Sequence, residues 1–200
     1  METNQTNQKK QESWVPESAL DVLMLLLYAK GQSGENGEPI EGITRLDKIM
    51  YLLSQSNEFS KIVNKGYNFQ ADNFGPFAPE LFDDIQALKQ EGIIVGASER
   101  KTTNKIETVD EESVEKIFED ETDMKVSWKK YCVETYKLTD LGMRIASQIY
   151  NNLTDSQKTE LITIKKRFGQ MSLKNLLYFV YSTAPSNMLE KSKIRKQVLG

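Results

Sequence analysis

NFGPFAPELFDDIQALKQEGIIV, residues 73–95, contains the clearest signals of the fold. Gly75 and Pro76 are expected to break a strand, because a proline has no N–H to donate to a strand ladder. A helix is predicted to begin near Pro79, since the first helical position tolerates the missing N–H. Gly92 should end that helix, and the IIV that follows has the composition of a strand.

A second phrase, YKLTDLGMRIA at residues 136–146, continues the pattern as a hairpin strand that runs directly into another helix. Leu138 should pack in the core, Thr139 should cap the helix, and Gly142 should allow a close helix approach. The apolar residues of the preceding helix recur at the spacing of one helical face. That stripe comprises Leu81, Phe82, Ile85 and Leu88.

Two more helices are predicted ahead of this region. ESALDVLMLLLYAK is apolar nearly all round, and RLDKIMYLLSQS, capped by Thr44, has one apolar face. Helix, helix, helix, strand and strand is the winged-helix order. The predicted fold class is therefore mainly α (α+β), a winged helix-turn-helix with a small β-hairpin wing and a C-terminal helical extension. Asp155 and Ser172 are expected to cap the helices of that extension.

The predicted organisation has three parts. Residues 1–14 form a disordered tail, residues 15–152 the winged-helix domain, and residues 153–200 a helical, basic C-terminal extension. The wing carries an acidic insert at about residues 101–130.

Charge is distributed unevenly, although the chain has a formal net charge of only −3. Residues 107–123 contain nine acidic residues and one lysine, a net charge of −8. Residues 156–200 contain nine basic residues and two glutamates, a net charge of +7. This asymmetry suggests an electrostatic partner, either within the chain or outside it.

The composition excludes several enzyme classes. The chain has no histidine and one cysteine, so Ser-His and Cys-His pairs and multi-cysteine zinc sites are absent. Glu80, Asp83 and Asp84 could share a magnesium ion, but no nucleophile–base motif accompanies them. We expect no enzyme activity, no cofactor and no metal. The polar N-terminus and the short apolar runs predict a cytoplasmic protein without a membrane partner.

The helix at residues 79–91 would be the one that reads DNA in a winged-helix regulator. Its polar residues include four carboxylates, from Glu80, Asp83, Asp84 and Glu91, against the single cation of Lys89. Phosphate contacts require cations, so this helix is expected to repel DNA. A plain solvated face explains the same residues, and an acidic start also suits the helix dipole.

Nucleic acid could instead contact basic residues elsewhere in the chain. The candidate contacts are Arg45, Lys48, Arg100, Lys101, Lys165, Lys166, Arg167, Lys191, Lys193, Arg195 and Lys196. Such a basic region can hold a nucleic-acid backbone without sequence preference. An ordinary solvated face, or pairing with the acidic insert, explains the same charges.

Residues 44–55, TRLDKIMYLLSQ, and residues 67–94 resemble the SocA-type antitoxin (Panacea-like) domains and related small winged-helix proteins of bacteria and archaea. The matching residues are Leu46, Lys48, Ile49, Tyr51, Phe69, Gly75, Pro76, Leu81, Ile85, Leu88 and Gly92. The resemblance covers about residues 17–145 and departs in the acidic insert. It implies a regulatory binding module rather than an enzyme, with motif residues that are mainly architectural.

We therefore expect an antitoxin-like regulatory module that acts through protein–protein interaction, with nucleic-acid contact by its basic C-terminal region as a further expectation. The partner would be a toxin or a second copy of the chain. The apolar helix LKNLLYFVY, residues 173–181, could dock on its own domain or on that second copy. The alternative is a sequence-specific DNA-binding transcription regulator.

Overall fold

Helices account for most of the residues that the computed structural model describes, which are 14–101 and 131–199. The helices are α1 (Ala19–Tyr28), α2 (Ile43–Ser54), α3 (Ser60–Gly66), α4 (Pro79–Gln90), α5 (Asp140–Asn151), α6 (Asp155–Phe168), α7 (Leu173–Thr183) and α8 (Arg195–Leu199). The strands are β1 (Ile40–Glu41), β2 (Gln70–Asp72), β3 (Gly75–Phe77), β4 (Ile94–Lys101) and β5 (Tyr131–Leu138), and a 3₁₀ turn at Ser186–Leu189 precedes α8. The predicted mainly α, α+β class is confirmed.

The larger sheet has three antiparallel strands in the order β1–β5–β4. β4 and β5 form a hairpin in which Ile94 lies opposite Leu138, and β1 joins β5 with Ile40 opposite Tyr136. All four of these side chains are buried, so this part of the sheet packs on the core. The two-residue strand β1 was not among the elements predicted from the sequence.

The smaller sheet, β2–β3, differs from the strand break predicted at Gly75 and Pro76. Gly75 has a φ of 84°, a left-handed conformation that favours glycine, and it helps turn the chain back into β3. Pro76 lies within β3 opposite Ala71. A proline is tolerated there because each strand of a two-stranded sheet is an edge strand. The chain therefore enters α4 from a hairpin.

Most of the predicted helix starts hold, and two differ. The hydroxyl of Thr139 accepts from the backbone N–H at the first turn of α5, and Ser172 caps α7 in the same way. Thr44 lies inside the first turn of α2 rather than before it, because α2 begins at Ile43, two residues before the predicted start at Arg45. Thr154 caps α6, and Asp155 is the first residue of that helix.

Gly142 brings α5 against the end of the β4–β5 hairpin, as the sequence predicted. A Cβ at this position would overlap the carbonyl oxygen of Ile93. The backbone of Thr139 also donates to that carbonyl oxygen, at 3.0 Å. The join between the hairpin and α5 therefore leaves no room for a side chain on Gly142.

One hydrophobic core runs from α1 to the C-terminal helices. It includes Leu23 of α1, Ile49 of α2, Leu161 of α6 and Leu176 of α7, all of which have no exposed surface. The apolar residues of α7 are thus buried within the chain itself. The predicted boundary at residue 153 separates helices that share this core. Residues 1–13 of the predicted tail and 102–130 of the predicted insert lie outside the described residues.

Candidate functional site: the exposed face of the fourth helix

Proline and glycine set the two ends of α4. Pro79 is its first residue, and Gly92, with a φ of 65°, follows its C-terminus. Leu81, Ile85 and Leu88 face the core and are almost fully buried. The stripe predicted from the sequence is therefore the buried face, and it determines which residues of α4 point outward.

A buried ion pair on α2 holds the turn from which α4 begins. The ammonium of Lys48 donates to the carboxylate of Asp47 at 2.8 Å and to the carbonyl oxygen of Pro76 at 2.6 Å. Asp47 also accepts from the backbone N–H of Ala78 at 3.3 Å. Both charged side chains are only 2% exposed, and burial raises the pKa of the Asp47 carboxyl. The pair is therefore an internal brace for the β3–α4 turn.

Asp84 of α4 points toward the core side rather than outward. The hydroxyl of Tyr67 donates to its carboxylate at 2.8 Å. Burial raises the pKa of Asp84, and burial together with this carboxylate raises the pKa of Tyr67. One oxygen of the neighbouring Glu80 is also buried, without a hydrogen-bond partner among the described residues. Two of the four carboxylates counted from the sequence are thus turned partly inward.

Lys89 is the only basic residue of α4, and it is held against the hairpin. Its ammonium forms an ion pair with Glu134 of β5 and lies 5.1 Å from the ring centre of Tyr136. The Tyr136 hydroxyl donates to Glu134 at 2.6 Å. Burial alone would raise the pKa of Glu134, but the hydrogen bonds from Lys89 and Tyr136 lower it overall. The positive charge of Lys89 is therefore already paired.

The outward stripe of α4 is left acidic. We define the acidic face as Asp83, Gln86, Ala87, Gln90 and Glu91, all of which are exposed. The first four recur at the spacing of one helical face. The acidic face presents two carboxylates, two amides and no cation of its own. Such a surface suits a positively charged protein better than a phosphate backbone.

Three of the predicted nucleic-acid contacts lie inside the molecule. Besides Lys48, these are Arg45, which is 5% exposed, and Lys165, which is 1% exposed. Arg45 donates to the carbonyl oxygens of Glu41, Phe168 and Met171. It thereby joins α2 to the loop between α6 and α7.

Lys165 performs a similar internal task at the end of α1. Its ammonium donates to the carbonyl oxygen of Leu27 at 2.7 Å. Burial lowers the pKa of Lys165 to about 7, although the carboxylate of Glu38 opposes this change. The side chain thus satisfies a carbonyl at a helix C-terminus, which has no partner within its own helix.

The other predicted nucleic-acid contacts differ in what the structure describes of their side chains. Those with exposed side chains are Lys166, Arg167, Lys191, Lys193, Arg195 and Lys196. Arg100 and Lys101 belong to β4, where their backbones pair with Cys132 and Tyr131, but their side chains lie outside the described residues. The exposed group therefore belongs to the C-terminal region alone.

The sequence contained signals for the buried lysines. Lys165 lies four residues after Leu161 and three before Phe168, so it occupies a core position on the apolar stripe of α6. Lys48 is among the matching residues of the resemblance, and the resemblance implies that these residues are mainly architectural. A long aliphatic stem lets such a lysine pack like an apolar residue while its ammonium reaches a carbonyl.

Two further features of the described residues bear on function. A cavity of about 500 Å³ lies beside Glu58, Ser156 and Glu160. Two of its carboxylates are engaged, because Glu160 accepts from the backbone of Glu58 at 2.9 Å and Glu58 accepts from Ser156 at 2.7 Å. Within the described ranges, no group of three or more metal-ligating side chains is arranged to hold an ion. No helix in those ranges has the length and apolar character needed to cross a bilayer.

Comparison with known proteins found no family model and no curated protein that matches this chain.

Proposed function

We propose that this chain is an antitoxin-like regulatory module of winged-helix type that binds a protein partner through the acidic face of α4. The observation that carries the proposal is the pairing of Lys89 with Glu134. This pairing neutralises the only cation of α4, and it leaves a carboxylate-bearing face at the position where a DNA-reading helix would lie.

The element order supports the winged-helix part of the proposal. The helices α1, α2 and α4 precede the β4–β5 hairpin, and β1 completes the sheet beside β5. In this arrangement α4 takes the place of the recognition helix. α3 and the β2–β3 hairpin would then be an insertion between the second and third helices of the motif.

Electrostatics favour protein over DNA as the ligand of α4. Each phosphate contact is normally made by a lysine or arginine, which releases counterions from the nucleic acid. Asp83 and Glu91 would repel the backbone instead, and the only cation of α4, Lys89, is already paired with Glu134. Opposite charges on a protein partner would speed association and determine its orientation on the helix.

The antitoxin-like part of the proposal rests on the resemblance to SocA-type domains. It implies a toxin as the partner, and a second copy of the chain is the other protein that would satisfy the same charge argument. Either partner is expected to present lysine or arginine to the acidic face.

Photo-crosslinking from α4 tests the proposal. A photoreactive residue replaces Gln86 at the centre of the acidic face, and a control carries it at Glu35, which is exposed in the loop after α1. We expect a nuclease-resistant adduct with one protein, at the mass of a partner or of a second copy, from position 86 only. An adduct that nuclease removes, or equal labelling from both positions, would contradict the proposal.

A further inference from the structure

The outer side of α7 exposes an aromatic ring. The other side of this helix packs on the core, and its buried residues are Leu173, Leu176, Leu177, Val180 and Tyr181. Opposite them Lys174, Tyr178 and Ser182 recur every four residues along an exposed line. Tyr178 is 56% exposed, more than the intermediate exposure that is typical of tyrosine.

Basic residues lie close to the two neighbouring α7 positions, Phe179 and Tyr181, that flank Tyr178 on the helix surface. On one flank the guanidinium of Arg167 stacks 4.6 Å from the ring centre of Phe179. On the other flank Tyr181 and Ser192 share a hydrogen bond of 2.7 Å between their hydroxyls, which places Lys191 beside α7. α8 packs against α7 beyond this point and carries Arg195 and Lys196.

The charge of this region is strongly one-sided. Residues 166–199 contain seven basic residues and a single acidic one, Glu190. All seven basic side chains are exposed. Lys174 and Lys193 take part in further interactions within the chain, so the inference does not depend on them. We define the basic ridge as Arg167, Tyr178, Lys191, Arg195 and Lys196.

We propose that the basic ridge binds single-stranded nucleic acid, as a second binding surface separate from the acidic face of α4. Four cations contact backbone phosphates, and Tyr178 stacks on an unpaired base. Phe179 holds the Arg167 guanidinium in one orientation, which reduces the conformational freedom that this side chain loses on binding. DNA and RNA single strands share this chemistry.

The exposed tyrosine is the reason for choosing a single strand over a duplex. In a duplex the flat faces of the bases are stacked on one another, so a ring on a helix surface reaches only phosphates and groove edges. An unpaired base offers its face to an aromatic side chain whatever its identity. A surface that acted through charge alone would bind duplexes and acidic proteins as well as single strands, and Tyr178 would not contribute to that binding.

The experiment measures fluorescence anisotropy of labelled 20-nucleotide dT and U strands, a 20-base-pair duplex and poly-glutamate, each titrated with the full chain between 50 and 300 mM salt. Three variants are compared with the wild type: Tyr178→Ala, the double variant Arg195→Gln/Lys196→Gln, and Lys61→Gln/Lys65→Gln. The last removes the same charge from exposed positions of α3 and is the matched control. Circular dichroism confirms that every variant is folded.

We expect the wild type to bind the single strands more tightly than the duplex or poly-glutamate. Tyr178→Ala should weaken single-strand binding about tenfold. Arg195→Gln/Lys196→Gln should reduce the slope of log K against log salt by about 1.4, because two phosphate contacts are lost. The α3 control should change neither quantity.

Three results would overturn the inference. In the first, the wild type shows no salt-dependent binding at 50 mM salt. In the second, the ridge and α3 double variants weaken single-strand binding equally. In the third, poly-glutamate binds as tightly as the single strands and Tyr178→Ala has no effect. The last of these would assign the ridge to an acidic protein. Comparison of the dT and U strands distinguishes DNA from RNA.

Discussion

Lys48 donates a hydrogen bond of 2.6 Å to the carbonyl oxygen of Pro76, and this contact joins the middle of α2 to the turn from which α4 begins. The same ammonium pairs with Asp47, whose carboxylate accepts from the backbone of Ala78. α4 is therefore positioned by a charged group that lies inside the protein. The direction of its outward face depends on that brace.

Replacing Lys48 with methionine should destabilise the protein by about 3–5 kcal/mol, because Asp47 is left buried without its cation. Urea unfolding followed by circular dichroism gives the free energy of unfolding. The double variant Asp47→Asn/Lys48→Met should recover part of the loss, since it removes both charges and keeps an acceptor for Ala78. Lys166→Met, at an exposed position, is the control and should stay within about 0.5 kcal/mol of the wild type. A Lys48→Met protein as stable as this control would disprove the brace.

The lowered pKa of Lys165 should make the stability of the protein depend on pH. The folded chain releases its proton at about pH 7, whereas an unfolded lysine does so near about pH 10.4. Unfolding therefore takes up a proton between these values, and the free energy of unfolding rises with pH there by up to about 1.4 kcal/mol per unit. As the pH falls toward about 7 the stabilisation is lost, and below about pH 7 both states hold the proton, so the slope disappears.

Urea unfolding of wild type and Lys165→Met at several values between pH 7.5 and 9.5 measures this slope. The range stays below the titration of the tyrosines, whose raised pKa values would act in the opposite direction. Lys165→Met should show a flatter profile than the wild type, and Lys166→Met should keep the wild-type slope. Identical slopes in all three proteins would exclude a neutral buried lysine.

Gly142→Ala should destabilise the protein by more than about 1 kcal/mol. In an open helix this change usually stabilises by about the same amount, because alanine restricts the unfolded chain. Here the new methyl group would overlap the carbonyl oxygen of Ile93. Thermal unfolding distinguishes the two outcomes by the sign of the shift in Tm, and Gln148→Ala on the exposed side of α5 is the control. A raised Tm for Gly142→Ala would mean that the hairpin and α5 are not in close contact.

Local signals were sufficient to predict α4 and the strand after it. Pro79 and Gly92 set its ends through backbone conformation alone, and the spacing of Leu81, Ile85 and Leu88 identified its buried face. Thr139 caps α5 with a side chain that reaches only three residues along the chain. Each of these features depends on residues that are close together in the chain, so it can be predicted from the amino-acid sequence alone.

The carbonyl partners of the buried basic residues were beyond local signals, although the apolar spacing around Lys165 indicated a core position. Lys165 reaches the carbonyl oxygen of Leu27, 138 residues away in the chain, and Arg45 reaches that of Phe168, 123 residues away. A lysine or arginine is normally exposed, so its type predicts a surface position until the carbonyl that receives it is known. β1 was missed for a related reason, because two residues carry no alternation and its partner β5 is distant in sequence.

The acidic face of α4 is proposed to contact a positively charged protein. Isothermal titration calorimetry with the protein captured from position 86 tests it most directly, using the charge-reversal variant Asp83→Lys/Glu91→Lys. The matched control is Glu17→Lys/Glu35→Lys, which reverses two exposed carboxylates outside α4. We expect Kd to rise at least about tenfold for the α4 variant, with a weaker dependence on salt, and to be unchanged for the control. An unchanged Kd for a folded Asp83→Lys/Glu91→Lys protein would contradict it.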